Sequence, residues 1–206
     1  MSDTQLLLFI MTSILVILSP GQDFVLVLSR SISQGSKAGI VTAAGVSTGL
    51  IGHTILASAG LGTILMASDV LFVFIKVIGG AYLFYLGLKL IVSKSSIAIA
   101  DSEHKPMIKL FLEGAISNIS NPKVTLFYFA FLPQFISSGV DNPTGYLIFL
   151  GVSFALLTFL IKAPMGYFAG LGSHWIQHRP TIIGLINRIS GTVLIGFGAR
   201  LIVEDR

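Results

Sequence analysis

The chain has 206 residues, of which 53% are hydrophobic and 11% are charged. A soluble domain carries about a quarter charged residues, so this composition excludes an ordinary soluble protein and requires much of the surface to face lipid. The net charge of +4 comes from basic residues scattered among hydrophobic segments, which excludes a nucleic-acid-binding stripe. Cysteine is absent, which excludes disulfides, thiolate metal sites and thiol redox chemistry.

Six stretches are long and apolar enough to cross a bilayer, for which about 20 residues are needed. They are residues 4–28, 38–66, 70–92, 108–136, 143–171 and 182–203. A polar segment at 93–107 separates the first three from the last three. The sequence therefore predicts an all-α integral membrane protein with six transmembrane helices, arranged as three-helix repeats at 1–92 and 108–206 and joined by a cytoplasmic linker.

Two of these stretches contain a break, where proline stands beside polar residues. The breaks read Ser19-Pro20-Gly21-Gln22-Asp23 and Ser120-Asn121-Pro122-Lys123. Proline has no N–H, so Pro20 frees the carbonyl of Val16 and Pro122 frees that of Asn118. Freed backbone at membrane depth is tolerated only where protein or a water-filled cavity covers it. We therefore predict that helices one and four are broken, with backbone N–H groups and a positive dipole end facing each gap.

The two halves repeat each other weakly. Phe9 precedes Pro20 by the same number of residues as Phe111 precedes Pro122, and Lys76-x-x-Gly79 matches Arg188-x-x-Gly191. Three helices per repeat make the second copy run in the opposite sense, which is the inverted-repeat arrangement of many secondary transporters. A matched pair of interrupted helices, one per half, points to the binding site of such a protein.

Basic residues predict the orientation, since lysine and arginine concentrate in cytoplasmic loops. On one side lie Arg30, Lys37, Lys89, Lys94, Lys105, Lys109 and Arg179. The opposite loops hold Asp69 and Asp141. Both termini are therefore expected on the outer side.

Asp23 and Lys123 each place a charge inside a break. A charge at the bilayer centre costs about 2.5–3.5 kcal/mol on insertion scales, so it normally faces a cavity or a partner. One interpretation is a structural Asp23–Lys123 ion pair that ties the halves together. The other is that Asp23 carries a proton or holds a substrate ammonium while Lys123 attracts a carboxylate. Both stay open for Asp23, and the helix break favours the anion role for Lys123.

Four further residues are weaker candidates. Lys162 lies deep in helix five beside Pro164, where it would line the cavity or pair with Asp23. Lys76 is favoured to extend its side chain to the interface, and Tyr82 suits either a cavity wall or an interfacial anchor. His53 is more often a hydrogen-bonded packing residue than a proton relay. Glycine faces on helices two and five, Gly45-x-x-x-Gly49 and Gly166-x-x-x-Gly170, suit close helix packing within the fold or in a dimer.

Motifs along nearly the whole chain resemble the LysE/RhtB family of amino-acid exporters. They are Pro20-Gly21-Gln22-Asp23, Lys76-x-x-Gly79, Asn118-x-x-Asn121-Pro122-Lys123 and Leu132-Pro133-Gln134-Phe135. The resemblance implies a six-helix exporter of the bacterial inner membrane, driven by the proton gradient and dimeric. It places Pro20, Gly21, Asp23, Asn121, Pro122 and Lys123 at the functional centre. Relatives more usually have proline at the position of Gln22, often asparagine at that of Asp23, and some have an acidic residue near Lys162.

The leading hypothesis is a secondary transporter that exports a small zwitterionic amino acid by alternating access and proton antiport. A helix end and Lys123 would take the carboxylate, and Asp23 the ammonium or the proton. The alternatives are a membrane scaffold or assembly subunit without transport activity, and an exporter of another small solute. An enzyme or electron carrier is disfavoured, and no cofactor, metal or nucleic acid is expected. The expected partners are the amino acid, protons, the lipid bilayer and a second copy of the chain.

Overall fold

The computed structural model describes residues 3–67, 69–92, 104–136, 142–172 and 180–203. These residues form helices and connections, and no strand is found among them. The helices are α1 (Asp3–Leu18), α2 (Gln22–Gln34), α3 (Ser36–Ala67), α4 (Asp69–Val92), α5 (Met107–Ile119), α6 (Pro122–Leu126), α7 (Pro143–Leu171) and α8 (Pro180–Val203). A π-helical turn (Phe127–Phe131) and a 3-10 turn (Leu132–Phe135) continue α6. The predicted all-α class is confirmed.

Several helices are suited to a membrane by length and composition. Within the described ranges, Ser36–Gly60 of α3 and Pro143–Leu171 are each long and apolar enough to cross a bilayer. Gln5–Leu18 and Gln22–Gln34 qualify together as a third, bent span. Val77–Val92 is a shorter apolar helix. The chain is therefore a helical membrane protein, while six spans in inverted repeats remain a prediction. Most of the predicted linker, 93–103, lies outside the described residues, as do Lys94, Asp141 and Arg179.

Both predicted helix breaks are present. The axes of α1 and α2 differ by 56° across the first break. At the second break α5 ends at Ile119 and α6 restarts at Pro122, a first-turn position where the missing N–H costs nothing. The first helical stretch ends later than the predicted span of 4–28, because α2 continues to Gln34. Arg30 therefore lies inside a helix and is buried, and the expectation that it belongs to a cytoplasmic loop is wrong.

Helix α3 packs closely against α5 and α7 at glycine positions, where no side chain separates the backbones. A Cβ built on Gly49 would lie 2.8 Å from the carbonyl oxygen of Ala115 in α5, and one on Gly45 would collide with the carbonyl of Phe111. A Cβ added to Gly166 of α7 would likewise lie 3.0 Å from the carbonyl carbon of Gly39 in α3. Small residues let helices approach closely where lipid removes any hydrophobic driving force. The glycine faces on α3 and α7 thus serve the fold of one chain.

The pair α4 and α8 shows a reciprocal pattern. A Cβ on Gly80 would lie 2.9 Å from the Gly198 oxygen, and one on Gly198 would lie 2.5 Å from the Gly80 oxygen. Gly87 and Gly191 face each other likewise, at 2.5 and 2.6 Å. Because the later glycine of α4 meets the earlier glycine of α8, these helices cross antiparallel.

Aromatic side chains fill the interior beside the second break. Phe127 stacks on Phe154 of α7 with ring centroids 4.5 Å apart, and Phe9 of α1 meets Phe135 edge-on at 5.3 Å. Tyr128 is fully buried and donates a hydrogen bond to the Gly151 carbonyl at 3.1 Å. This cluster anchors the irregular π-helical turn and so fixes the position of α6.

We expect Gly45→Ala to lower the free energy of unfolding by about 1–3 kcal/mol, because its Cβ meets backbone atoms that cannot move aside. Gly60→Ala, in the same helix, meets nothing within 4 Å and should be neutral or stabilising. Thermal unfolding of both variants in detergent measures the difference. Equal stability of the two variants would contradict this account of the α3–α5 contact.

A candidate solute site between the two helix breaks

The two breaks meet at the carboxylate of Asp23. Asp23 lies in the first turn of α2 and is 5% exposed. Its Oδ2 accepts a hydrogen bond from Asn118 Nδ2 at 2.7 Å, and its Oδ1 accepts a longer one from Ser117 Oγ at 3.4 Å. Both donors belong to the last turns of α5. An amide and a hydroxyl of one half of the chain thus bind the carboxylate of the other half.

Lys123 reaches across from the second break to the end of α1. Its Nζ donates to the Ser19 carbonyl at 2.9 Å and to the Val16 carbonyl at 3.3 Å. The Val16 carbonyl is the group that Pro20 frees. The C-terminal end of a helix carries a partial negative charge, which a cation stabilises. Lys123 therefore caps α1 from the opposite half of the chain.

Lys162 caps the same helix end from α7. Its side chain is 4% exposed, and its Nζ donates to the Ile17 carbonyl at 3.4 Å. The ammonium also lies 5.7 Å from the centre of the Phe24 ring, within range of a cation–π attraction. Two lysines thus converge on the last carbonyls of α1.

At the second break, His53 donates a hydrogen bond to the carbonyl that proline frees, as Lys123 does at the first break. The Asn118 carbonyl, freed by Pro122, accepts hydrogen bonds from the backbone N–H of Asn121 at 2.9 Å and from His53 Nε2 at 3.1 Å. A carbonyl only accepts, so Nε2 carries the proton. The other ring nitrogen, Nδ1, is buried without a hydrogen-bond partner in the described part of the chain. His53 is therefore a hydrogen-bonded residue of α3, as the sequence favoured, and it touches the residue that holds Asp23.

A small cavity lies among these groups. Its volume is about 20 Å³, which accommodates roughly one water molecule. Its polar lining comes from Asp23, Asn118, Thr158, Lys123 and Lys162. Its apolar lining comes from Val16, Ile17, Phe24, Leu50, Val124 and Phe154. In this structure the cavity is therefore too small for a solute of amino-acid size.

The charges in this cavity are not paired with one another. Among the described residues, neither Lys123 nor Lys162 lies within ion-pair distance of Asp23, and the ion pairs found are those of Glu113 with Arg30 at 2.8 Å and with Lys105 at 3.0 Å. The predicted structural pair between Asp23 and a lysine is therefore not formed here. Each ammonium contacts carbonyls, and the carboxylate contacts amide and hydroxyl donors.

The second break differs from expectation at its helix start. Pro122 has no N–H, and the N–H of Lys123 is capped by the Asn121 side chain at 3.1 Å. The start of α6 therefore does not offer free N–H groups to the gap, and the sequence-based prediction of an open helix end is wrong at this break. At the first break, Gly21 provides no side-chain cap to α2. Asn121 Nδ2 stays buried without a partner in the described structure.

The remaining predicted residues divide into two groups. Pro20 is buried and Gly21 lies against Lys123, with an added Cβ 3.1 Å from Nζ. Gln22 is exposed, and Tyr82 stands on α4 beside Tyr85 at 6.0 Å between ring centres; neither lines the cavity. The side chain of Lys76 lies outside the described part of the structure.

Sequence reasoning missed Asn118, Ser117 and Thr158 as parts of the site. Asn118 and Ser117 stand one turn before the second break, and Thr158 stands one turn before Lys162. Polar side chains at helical spacing from an intramembrane charge were the available signal, because they share its helix face. The Arg30–Glu113–Lys105 cluster was also missed, and it lies on α2, on α5 and just before α5.

Unpaired charges gathered where two interrupted helices meet are typical of membrane transporters. The LysE type translocator family matches residues 14–205 of the chain. The chain belongs to this family.

Individual relatives align over nearly their whole length. The "Uncharacterized membrane protein YrhP" of Bacillus subtilis (strain 168) is 33% identical, over 95% of this chain and 97% of its own. The "Leucine efflux protein" of Salmonella choleraesuis (strain SC-B67) is 32% identical, over 94% and 92%. The protein of that name in Klebsiella pneumoniae is 28% identical, over 95% and 93%. No solved structure matches the chain.

We expect His53→Ala to lower the free energy of unfolding by about 1 kcal/mol or more, since it removes one donor from the buried Asn118 carbonyl. In a Pro122→Ala background the new backbone N–H is able to donate to the same carbonyl, so the loss should shrink. A double-mutant cycle in detergent measures this coupling. Pro164→Ala, which alters a proline inside α7, is the matched control and should combine additively with His53→Ala.

Proposed function

We propose that this LysE-family translocator exports small amino acids from the cytoplasm as a secondary transporter. The observation that carries the proposal is one cavity that contains a carboxylate and two ammonium groups without any ion pair between them. A zwitterion needs a partner of each sign within a few ångströms. Asp23 is thus free to receive a substrate ammonium.

The lysines retain donors for a substrate carboxylate. An ammonium has three N–H groups. Lys123 uses two of them on Val16 and Ser19, and Lys162 uses one on Ile17. A lining that combines charges of both signs with aliphatic and aromatic side chains suits an amino acid with an apolar side chain. The names of the Salmonella and Klebsiella relatives support the same class, and we propose leucine and similar aliphatic amino acids as substrates.

Transport proceeds by alternating access with proton antiport in this proposal. The cavity of about 20 Å³ is too small for leucine, so the structure represents a closed state that opens by movement at the breaks. Asp23 is the proposed proton carrier, because it is the carboxylate in the cavity and its donors are neutral. Proton and substrate ammonium would then compete for the same oxygens, which couples their opposite movements.

The proposed architecture is six spans in two inverted repeats, 1–92 and 108–206, joined by a cytoplasmic linker at 93–107. The antiparallel crossing of α4 and α8 and its reciprocal glycine contacts support this arrangement. The proposed location is the bacterial inner membrane, with both termini outside. A homodimer, implied by the family resemblance, is proposed as the working assembly and is testable by cross-linking in membranes.

We expect proteoliposomes loaded with labelled leucine to release it. The release should be faster when the outside solution is more acidic than the lumen, because antiport moves protons inward as leucine moves outward. Asp23→Asn should lower the rate at least about tenfold and abolish the response to the gradient, since the amide carries neither charge nor proton. Lys109→Ala, which removes an exposed lysine of α5, is the control and should match wild type. Gradient-dependent efflux by folded Asp23→Asn would contradict the coupling role of Asp23.

A panel of other labelled amino acids tests the substrate class in the same vesicles. We expect faster efflux of aliphatic amino acids than of acidic or basic ones, because much of the cavity lining is apolar. Folded protein that moves none of them would favour the second candidates, a scaffold or an exporter of another solute.

The orientation is testable because the chain has no cysteine. We expect Ser96→Cys, in the linker, to react with a membrane-impermeant maleimide only after cells are permeabilised. Ser2→Cys should react in intact cells. The reverse pattern would place the termini in the cytoplasm and contradict the proposed topology.

A further inference from the structure

A broken membrane helix ends in carbonyls without helical partners, and in many secondary transporters such carbonyls hold a coupling cation. The end of α1 is a helix end of this kind, and Lys123 Nζ occupies it at 2.9 Å from Ser19 O and 3.3 Å from Val16 O. We propose that the Lys123 ammonium is a tethered cation that fills a latent monovalent-cation site, so that the transporter needs no sodium.

The surroundings of the ammonium support a site built for a cation. Gly21 presents bare backbone to it, and a Cβ there would come within 3.1 Å of Nζ. The backbone of Lys123 is fixed in turn, because its N–H is capped by Asn121. The side chain therefore approaches the end of α1 from a rigid helix start and packs closely against the first break.

The oxygen atoms available there would also suit a small metal ion. Carbonyl oxygens replace the hydration shell of monovalent cations in ion channels. Besides the two carbonyls, Ser19 carries an Oγ that is buried without a partner in the part of the chain that the structure describes. Ile17 O, the next carbonyl of the same turn, is taken by Lys162. Removing the Lys123 ammonium would leave the Val16 and Ser19 carbonyl oxygens to a diffusible cation.

A tethered cation stays with the protein throughout the cycle. Sodium movement is then not linked to solute movement, and only the proton remains available for coupling. This consequence for flux rests on the proposed export function, whereas the latent site itself does not.

The test is thermal unfolding of Lys123→Ala in detergent, with sodium, lithium or methylammonium chloride at equal ionic strength. N-methylglucamine chloride is the reference, because its cation is too large for the site. We expect each small cation to raise the Tm of Lys123→Ala by about 3–6 °C at roughly ten times its Kd. Wild type should have the same Tm in all four salts.

Two variants serve as matched controls. Lys123→Met keeps a chain of similar length without a charge, so it fills the site and should show no response to any small cation. Lys109→Ala removes an exposed lysine from the same broken helix and should behave as wild type. A response of Lys123→Met equal to that of Lys123→Ala would contradict a site vacated by the ammonium.

Two results overturn the proposal: folded Lys123→Ala with one Tm in every salt, or wild type with a higher Tm in sodium. If Lys123→Ala folds in none of the salts, the comparison of wild type in sodium and in N-methylglucamine tests the proposal instead. Equal Tm and equal efflux in sodium and N-methylglucamine support the proposal, and sodium stimulation of either contradicts it.

Efflux provides an independent comparison. Methylammonium or sodium should restore leucine efflux by Lys123→Ala at least about fivefold over N-methylglucamine, a gain that follows from refilling the site. If wild type itself moves no amino acid, the proposed function fails, and the thermal measurements still test the tethered cation.

Discussion

The structure depends on the need to supply donors to carbonyls that proline frees inside an apolar bundle. Pro20 and Pro122 each remove one helical hydrogen bond, and lipid offers no replacement. Side chains from distant elements supply the missing donors: Lys123 donates to Val16 O, and His53 donates to Asn118 O. Each break is therefore stabilised by a part of the chain far away in sequence.

The same contacts create the site. A lysine drawn to the end of α1 and an asparagine held by His53 are brought to the carboxylate of Asp23, and a cavity remains where the three meet. Because carbonyls occupy the ammonium groups and neutral donors occupy the carboxylate, opposite charges lie near one another without neutralising one another. A protein that needs to bind and release a zwitterion benefits from this arrangement, since a strong internal ion pair would have to be broken at every turnover.

The sequence was sufficient for the features that follow from local chemistry. Proline and charge inside apolar runs predicted both breaks and the convergence of Asp23, Lys123 and Lys162, because each is costly unless it faces a cavity or a partner. The partners themselves were not predictable, since the reach of Lys123 to Val16 depends on how the half-helices cross. Arg30 was misplaced for a related reason: an arginine near the end of an apolar run resembles a loop residue until its ion-pair partner, Glu113, is known. Gly45 and Gly166 were predicted to pack closely, but the helices that they meet emerged only from the fold.

Two separate polar contacts join α2 to α5. Asp23 binds Asn118 near the breaks, and Arg30 binds Glu113 two turns further along α2, with the direction of α5 reversed. Two contacts spaced along a helix pair restrain both rotation and sliding, so these half-helices, one from each half of the chain, form one cross-linked unit. Lys123 joins α6 to the end of α1 in the same way, so the segments Ser19-Pro20-Gly21 and Ser120-Asn121 are the two backbone connections between one cross-linked helix pair and the other.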